Sequence, residues 1–176
     1  MRALVPERFE SERVVYERIT LAHAEQLASL MRDPDVMRTL WPWGILPSEE
    51  QITSSLNGKI AHWERHGFGM WVLHERSTGQ FLGRGGPQYT DVLGSRSVEV
   101  GWAIVTPRWG EGFATELAIA SADAALRHLQ LRDVIAFTLP DNIASRRVME
   151  KAGFTYEREV LHVGLPHVLY RQGRER

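Results

Sequence analysis

No cysteine occurs in the 176 residues. That absence excludes disulfide staples, thiolate zinc sites and cysteine nucleophiles together, and it is compatible with a reducing compartment. An excess of either charge is also missing, since Lys+Arg 21 against Asp+Glu 22 leaves a formal net charge of -1. No basic field therefore advertises nucleic acid or an anionic membrane, and a small molecule or a peptide is the expected partner. No apolar run approaches the roughly 20 residues that span a bilayer, and the opening MRALVPERFESERV has no apolar stretch of signal length. The expectation is one domain over residues 1–176, cytoplasmic, without membrane or nucleic-acid partners, and large enough to bury a real core.

What is present is periodicity. Residues 13–19 (RVVYERI) suit an opening strand, and 23–31 suit a helix carrying Leu27, Leu30 and Met31 and stopped by Asp33-Pro34. WPWGILPSEEQ then reads as a rigid loop, with Ser48 and Gln51 forming a capping box for a helix to about His66. Residues 70–77, 80–88 and 97–105 read as three antiparallel strands, and Gly83, Gly85 and Gly86 mark a bulge or a close backbone approach. A helix is expected from Phe113 to about His128. The uninterrupted apolar DVIAFT (133–138) reads as a strand buried on both faces and parallel to its neighbour. A helix from Asp141-Asn142 to Gly153 and closing strands at about 155–163 and 167–171 complete the chain. This order predicts an α/β (α+β) fold, a mixed sheet with helices on its faces.

Between a strand and a helix lies WGEGFAT, Trp109 to Thr115. The first N–H groups of a helix lack intrahelical partners and the dipole there is positive, so the turn suits an anion. Gly110 and Gly112 let the backbone approach phosphate oxygens closely, and Ala114 keeps the first helical turn small. From the glycines alone, a ligand-free strand-to-helix turn fits equally well. Both nucleotide fingerprints fail: the lysine of GxxxxGK[ST] is absent, and Thr115 stands at the third glycine of GxGxxG.

PRWGEGFATE (107–116) and NIASRRVMEKAGF (142–154) resemble the GNAT acetyltransferase superfamily, its RimJ/RimL-like branch in particular. The likeness in element order covers nearly the whole chain and is sharpest between 97 and 154. It implies a GNAT-like, mostly antiparallel sheet with a splayed parallel pair at its centre. It also implies an acetyl-CoA-dependent N-acetyltransferase whose cosubstrate pyrophosphate sits on the amides of Trp109, Gly110, Glu111, Gly112, Phe113, Ala114 and Thr115. Trp109 departs from the Arg or Gln that opens this turn across the family, whereas Gly112 and Ala114 match; tryptophan there is common in the RimJ/RimL-like branch. No metal is implied. The acceptor would be a primary amine, either a protein N-terminus or a small molecule such as an amino acid, polyamine or aminoglycoside, and a homodimer is compatible with the family.

Amine acetylation needs a neutral nucleophile, yet α-amino groups (pKa about 7.7–8.0) and lysines (about 10.4) are mostly protonated at pH 7. Glu99 is the candidate general base. On SVEVGWAIV the bulky Val98, Val100, Trp102 and Ile104 share one face, leaving Glu99 opposite with the small Gly101 and Ala103; the resemblance implies a carboxylate base there. The alternative is a solvated carboxylate paired with Arg84 or Arg96. The family's usual tyrosine proton donor to the departing thiolate is replaced by Met149, which cannot donate; Ser145, one turn earlier, matches the serine used instead in the RimJ/RimL-like branch, so the resemblance implies it as the acid. A small residue packing a first helical turn is its other reading. Met149 also keeps a non-catalytic acyl-CoA-binding module in play. Asn142 has two compatible roles, capping the helix and bonding the pantetheine arm or the amine. The resemblance also implies that a backbone N–H on the strand across Trp102, Ala103 and Ile104 polarises the thioester oxygen. Direct attack in a ternary complex follows, with no acyl-enzyme.

Trp41 and Trp43 sit in the loop where the resemblance implies part of the acceptor pocket, with plain packing as their alternative; Tyr89, Phe68 and His162 are further candidates that the sequence alone does not place. His62 and His66 in HWERH sit one turn apart, but the metalloprotease motif needs Glu directly after the first His, and no third ligand is evident.

Overall fold

The computed structural model describes residues 4–40, 45–92 and 94–173. A short strand β1 (Arg8–Glu10) precedes β2 (Val14–Arg18). Helices α1 (Ala24–Arg32), α2 (Pro34–Leu40) and α3 (Glu49–His66) follow, then strands β3 (Trp71–Glu75), β4 (Phe81–Thr90) and β5 (Ser97–Ile104). The second half runs α4 (Phe113–His128), β6 (Asp133–Thr138), α5 (Ile143–Lys151), β7 (Thr155–His162) and β8 (Leu165–Gly173). All eight strands join one sheet in the order β1-β2-β3-β4-β5-β6-β8-β7. Every neighbouring pair is antiparallel except β5 and β6, which are parallel and share a single registered pair, Glu99 with Ile135. The expected mixed sheet with a splayed parallel pair at its centre is therefore present.

Two elements differ from the sequence expectation. The first is β1, a three-residue strand paired antiparallel with β2; RFE is too short to carry an alternating pattern and owes its geometry to the pairing. The second is α2. Asp33-Pro34 stops α1 as expected but also starts a new helix, because proline at a first helical position forgoes an N–H that would have no partner anyway. The Asp33 carboxylate accepts from the backbone of Asp35 (2.9 Å) and Val36 (3.4 Å), and its other oxygen accepts from the Thr106 hydroxyl at 2.6 Å, tying α2 to the end of β5. The Ser48–Gln51 capping box forms as read; opposite Leu73 and His74 the register shifts at Leu82 of β4, beside Gly83, and the close backbone approach is present, since a Cβ on Gly83 would overlap the Ala103 carbonyl oxygen and one on Gly86 would lie 3.0 Å from that of Gly69.

Helices α4 and α5 cover one face of the sheet, where Phe113, Leu117, Ala118, Ala122, Ala125 and Met149 pack with Val98, Val100, Ile104, Val134 and Ala136. On the other face, Leu27 and Leu56 meet Met70 and Val72, while Leu30 and Val36 meet Ala103. A side chain at Gly85 would place its Cβ 2.5 Å from Leu117 and 2.6 Å from the Gly101 carbonyl oxygen, so that glycine sets how closely α4 lies on β4.

Candidate active site

Because β5 and β6 share only one registered pair, they part beyond Glu99, and a cleft of about 740 Å³ opens along β5 between the two halves of the sheet. At one end it is lined by the turn before α4. Gly110 and Gly112 have φ of 81° and 87°, a left-handed conformation that costs a residue with a Cβ about 1–2 kcal/mol; a Cβ at Gly110 would meet nothing within 4 Å. Open space and turned-out amides are what a diphosphate needs.

Charges around the turn are largely paired off. Arg108 binds Glu75 at 2.7 Å and Glu111 at 2.9 Å, so the Glu111 carboxylate does not face an incoming anion unneutralised. Arg13 donates to the Glu111 carbonyl oxygen (3.0 Å) and to Glu116 (2.9 Å), and Phe113 lies between the Arg13 and Arg108 guanidinium groups at 4.4 and 4.8 Å. On α5, Arg147 and Lys151 also line the cleft and form no ion pair among the described residues. They were not singled out from sequence, where the i,i+4 spacing of two cations looks like any solvated helix face.

Midway along, the Trp102 indole N–H donates to the Ser145 hydroxyl oxygen at 3.2 Å, across the gap between the parted strands. This leaves the Ser145 proton free to be donated. The Ser145 backbone N–H in turn donates to the Asn142 side-chain oxygen at 3.2 Å, and the Asn142 amide donates to the Thr138 hydroxyl at 3.0 Å. Asn142 thus caps α5 and anchors to β6. Met149 is buried against the core yet reaches the cleft wall. Trp109 folds back so that its indole N–H donates to the Ile104 carbonyl at 2.7 Å.

Glu99 lies at the far end, where Gly101 forms the floor: a Cβ there would sit 3.2 Å from the Glu99 carboxylate and 3.2 Å from the Met70 methyl. The carboxyl is half-buried, and it forms no ion pair with Arg84 or Arg96 among the described residues. Burial pushes its pKa up to about 7, with Gln88, the Arg84 charge and Thr90 pulling the other way. Arg84, on β4 opposite Ala103, lines the same end, and burial lowers its pKa against the pull of Glu99. Behind it Lys59 of α3 donates to the Ser55 hydroxyl at 2.7 Å and is pushed down to about 7 by burial and by the Arg84 charge.

Tyr89 and His162 also line the cleft; burial and the neighbouring His167 lower the His162 pKa. Phe68 does not reach it, being buried in a ring cluster with His62, His66 and Tyr89. Both ring nitrogens of His62 are occupied, one against the Phe68 carbonyl (2.8 Å), the other accepting the Tyr89 N–H (3.1 Å), so HWERH is a packing feature. Trp41 and Trp43 lie outside the described residues.

The profile of the acetyltransferase (GNAT) domain family matches residues 13–155. Among curated proteins, the chain is 29% identical over 141 residues to the protein YkkB of Bacillus subtilis, covering 80% of each. Among solved structures, the acetyltransferase from Agrobacterium tumefaciens superposes with TM-score 0.82 at 22% identity, over 97% of this chain and 95% of that one. Two similar folds carry coenzyme A. One is RimL, the ribosomal L7/L12 alpha-N-protein acetyltransferase (TM-score 0.72, 17% identity, 96% and 97% covered); the other is an aminoglycoside acetyltransferase, AAC(6')-Ib (0.74, 17%, 92% and 95%). With the profile matched from the second strand to the start of the seventh, on a sheet that parts where the cleft opens, this chain is an acetyltransferase of the GNAT family.

Proposed function

We propose that the protein is an acetyl-CoA-dependent N-acetyltransferase of the RimJ/RimL-like branch, acting on a primary amine by direct attack in a ternary complex. One observation carries this reading. A single cleft runs from the Gly110–Gly112 turn, past the Trp102–Ser145 pair, to the Glu99 carboxyl, so a diphosphate site, a proton donor and a base lie in line along β5. Acetyl-CoA is a substrate here and supplies the activated acetyl carbonyl. The residues present fit it, with free amides at the turn and unpaired β5 backbone where the strands part.

In this reading Glu99 takes a proton from the bound ammonium, and a group titrating at about 7 is suited to that at neutral pH. Backbone N–H groups between Trp102 and Ile104 polarise the acetyl oxygen. As the C–N bond forms and the C–S bond breaks, Ser145 donates to the departing sulfur, its oxygen steadied by Trp102. Asn142 holds Ser145 in place. Trp109 closes the end of β5, and Glu111, Phe113, Ala114 and Thr115 complete the anion site. The acceptor is a protein N-terminus or a small amine, Tyr89 lining its approach. A cytoplasmic location accords with the absence, among the described residues, of any helix long and apolar enough to cross a membrane.

The test is Glu99→Gln together with a mass-spectrometric acceptor screen. Peptides with varied first residues and a panel of small amines are offered with acetyl-CoA and with longer acyl donors. The reading requires an acetylated product whose formation falls by about 10²–10⁴-fold in the variant while coenzyme A affinity is unchanged. An unchanged rate would remove the base from Glu99, and no thermal shift with coenzyme A would remove the cosubstrate.

A further inference from the structure

Among the described arginines, Arg84 is singular. Arg65, Arg96, Arg132 and Arg147 also lack an oxygen partner, but each is exposed and satisfied by water. Arg84 is half-buried, and among the described residues the one acceptor its side chain has is the Met70 thioether, 3.2 Å from Nη1. Sulfur there is a weak acceptor, whereas a guanidinium offers five N–H donors and keeps its charge in any protein environment. No described carboxylate comes within 4.0 Å of it. Behind it Lys59, from α3, is bonded to the hydroxyl and carbonyl of Ser55 and, with its pKa lowered to about 7 by burial and the Arg84 charge, supplies Arg84 with no counter-charge. Arg84 therefore faces one half-buried carboxyl, that of Glu99, beyond ion-pair distance. Withdrawing a charge from water without a counter-ion is expensive, and a fold retains such a group where a ligand completes it.

The position of Arg84 says which ligand. It lines the end of the cleft that holds Glu99, on the sheet face covered by α1 to α3, away from the Gly110–Gly112 turn. The missing anion is thus part of the acceptor and not of the coenzyme. Between the Glu99 carboxyl and Met70, the sulfur of which touches Arg84, the floor is Gly101, which leaves the space open. A planar fork of donors matches a carboxylate, which it can hold by two parallel hydrogen bonds. We propose that Arg84 docks a carboxylate carried by the acceptor, so that the substrates are primary amines bearing a carboxylate, with the ammonium toward Glu99 and the carboxylate toward Arg84. This rests on the acetyl-transfer reading above and narrows it. Polyamines and aminoglycosides, which carry further positive charge, are disfavoured beside the Arg84 guanidinium.

The experiment titrates L-amino acids, each against its own C-terminal amide, by calorimetry with and without coenzyme A, and measures turnover of the same compounds with acetyl-CoA. Peptide amides beginning with aspartate or glutamate, and putrescine, complete the set. For at least one acid–amide pair the acid binds about 10–100-fold more tightly, the size of a charge-assisted hydrogen bond. Arg84→Met, which removes the charge while keeping an unbranched apolar chain, abolishes that difference and leaves amide affinity within about threefold; Arg84→Lys restores part of it. Preference for acidic peptide amides over free amino acids places the carboxylate on a side chain and supports the same docking. The proposal is overturned if amides or putrescine bind as well as the acids, if no carboxylate binds saturably, or if Arg84→Met keeps the discrimination. Failure of coenzyme A to bind would instead overturn the acetyl-transfer reading, and the Arg84 comparison without coenzyme is read independently of it.

Discussion

A carboxyl with a pKa of about 7 is half ionised at neutral pH, and Glu99 reaches that value because burial disfavours its charged form. A general base must be ionised to act, so kcat/KM is expected to rise with pH through about 7 and to level above it, until loss of ammonium or of another group intervenes. The rising limb belongs to Glu99 and should vanish in Glu99→Gln; a limb that persists in the variant would assign it elsewhere, with His162 on the cleft wall the next candidate. Ser145 has a smaller task. A thiol of ordinary acidity, pKa near 8.5, leaves more readily than an alkoxide, so Ser145→Ala should cost turnover about tenfold with little change in coenzyme A affinity. An unchanged kcat would reduce Ser145 to a packing residue that accepts from Trp102. Glu99 was legible at this scale from the alternation of SVEVGWAIV, which set it among small residues. Arg84 was not: in sequence it was only a possible partner for Glu99, and its lack of an oxygen partner among the described residues became visible only once the β4–β5 register was known.

The turn between β5 and α4 works as an element because its two glycines adopt positive φ. Gly112→Ala puts a Cβ on a residue at φ 87° and brings it to 3.4 Å from Arg13 Nη2. The backbone cost of about 1–2 kcal/mol should lower Tm by roughly 2–8 °C for a chain of this size, and distortion of the amides should weaken coenzyme A binding about tenfold, equivalent to about 1.4 kcal/mol. A lowered Tm with unchanged affinity would show that the turn is structural and the diphosphate lies elsewhere. Glycines flanking a helix start are readable from sequence because conformational permission is a property of the residue itself. The start of α2 was not readable in the same way. A proline after Asp33 signals a boundary of either kind, and whether a helix resumes depended on Val36 finding Leu30 and Ala103 to pack against.

At the scale of the whole molecule, the chain's beginning is fastened to the catalytic half through Glu116 in the first turn of α4. Its carboxylate accepts from the Ser11 hydroxyl (2.6 Å), the Arg13 backbone (2.8 Å) and the Arg13 guanidinium (2.9 Å). Burial alone would push the Glu116 pKa up, but these bonds together hold it below the ordinary carboxylate range. A carboxyl depressed in the folded state adds stability that is fully present above its unfolded pKa, about 4.3, and is lost as pH falls through the lower folded value. Glu116→Gln should therefore destabilise the protein by roughly 1–3 kcal/mol at pH 7 and by much less near pH 3. Urea unfolding at the two pH values measures this, and an equal loss at both would mean the charge contributes nothing.

The chain by itself determined the element types other than β1 and α2, the buried parallel strand, the glycine turn before α4 and the face of β5 on which Glu99 lies, because each follows from local periodicity or from the stereochemistry of one residue type. Tertiary structure alone decided that β5 and β6 part beyond Glu99, that Trp102 reaches Ser145, that His62 is consumed by packing, and that Arg84 stands in the cleft without an oxygen partner among the described residues. Those facts depend on which strands lie side by side and in what register. Such pairings join residues dozens of positions apart, and their energies arise only once the sheet has formed.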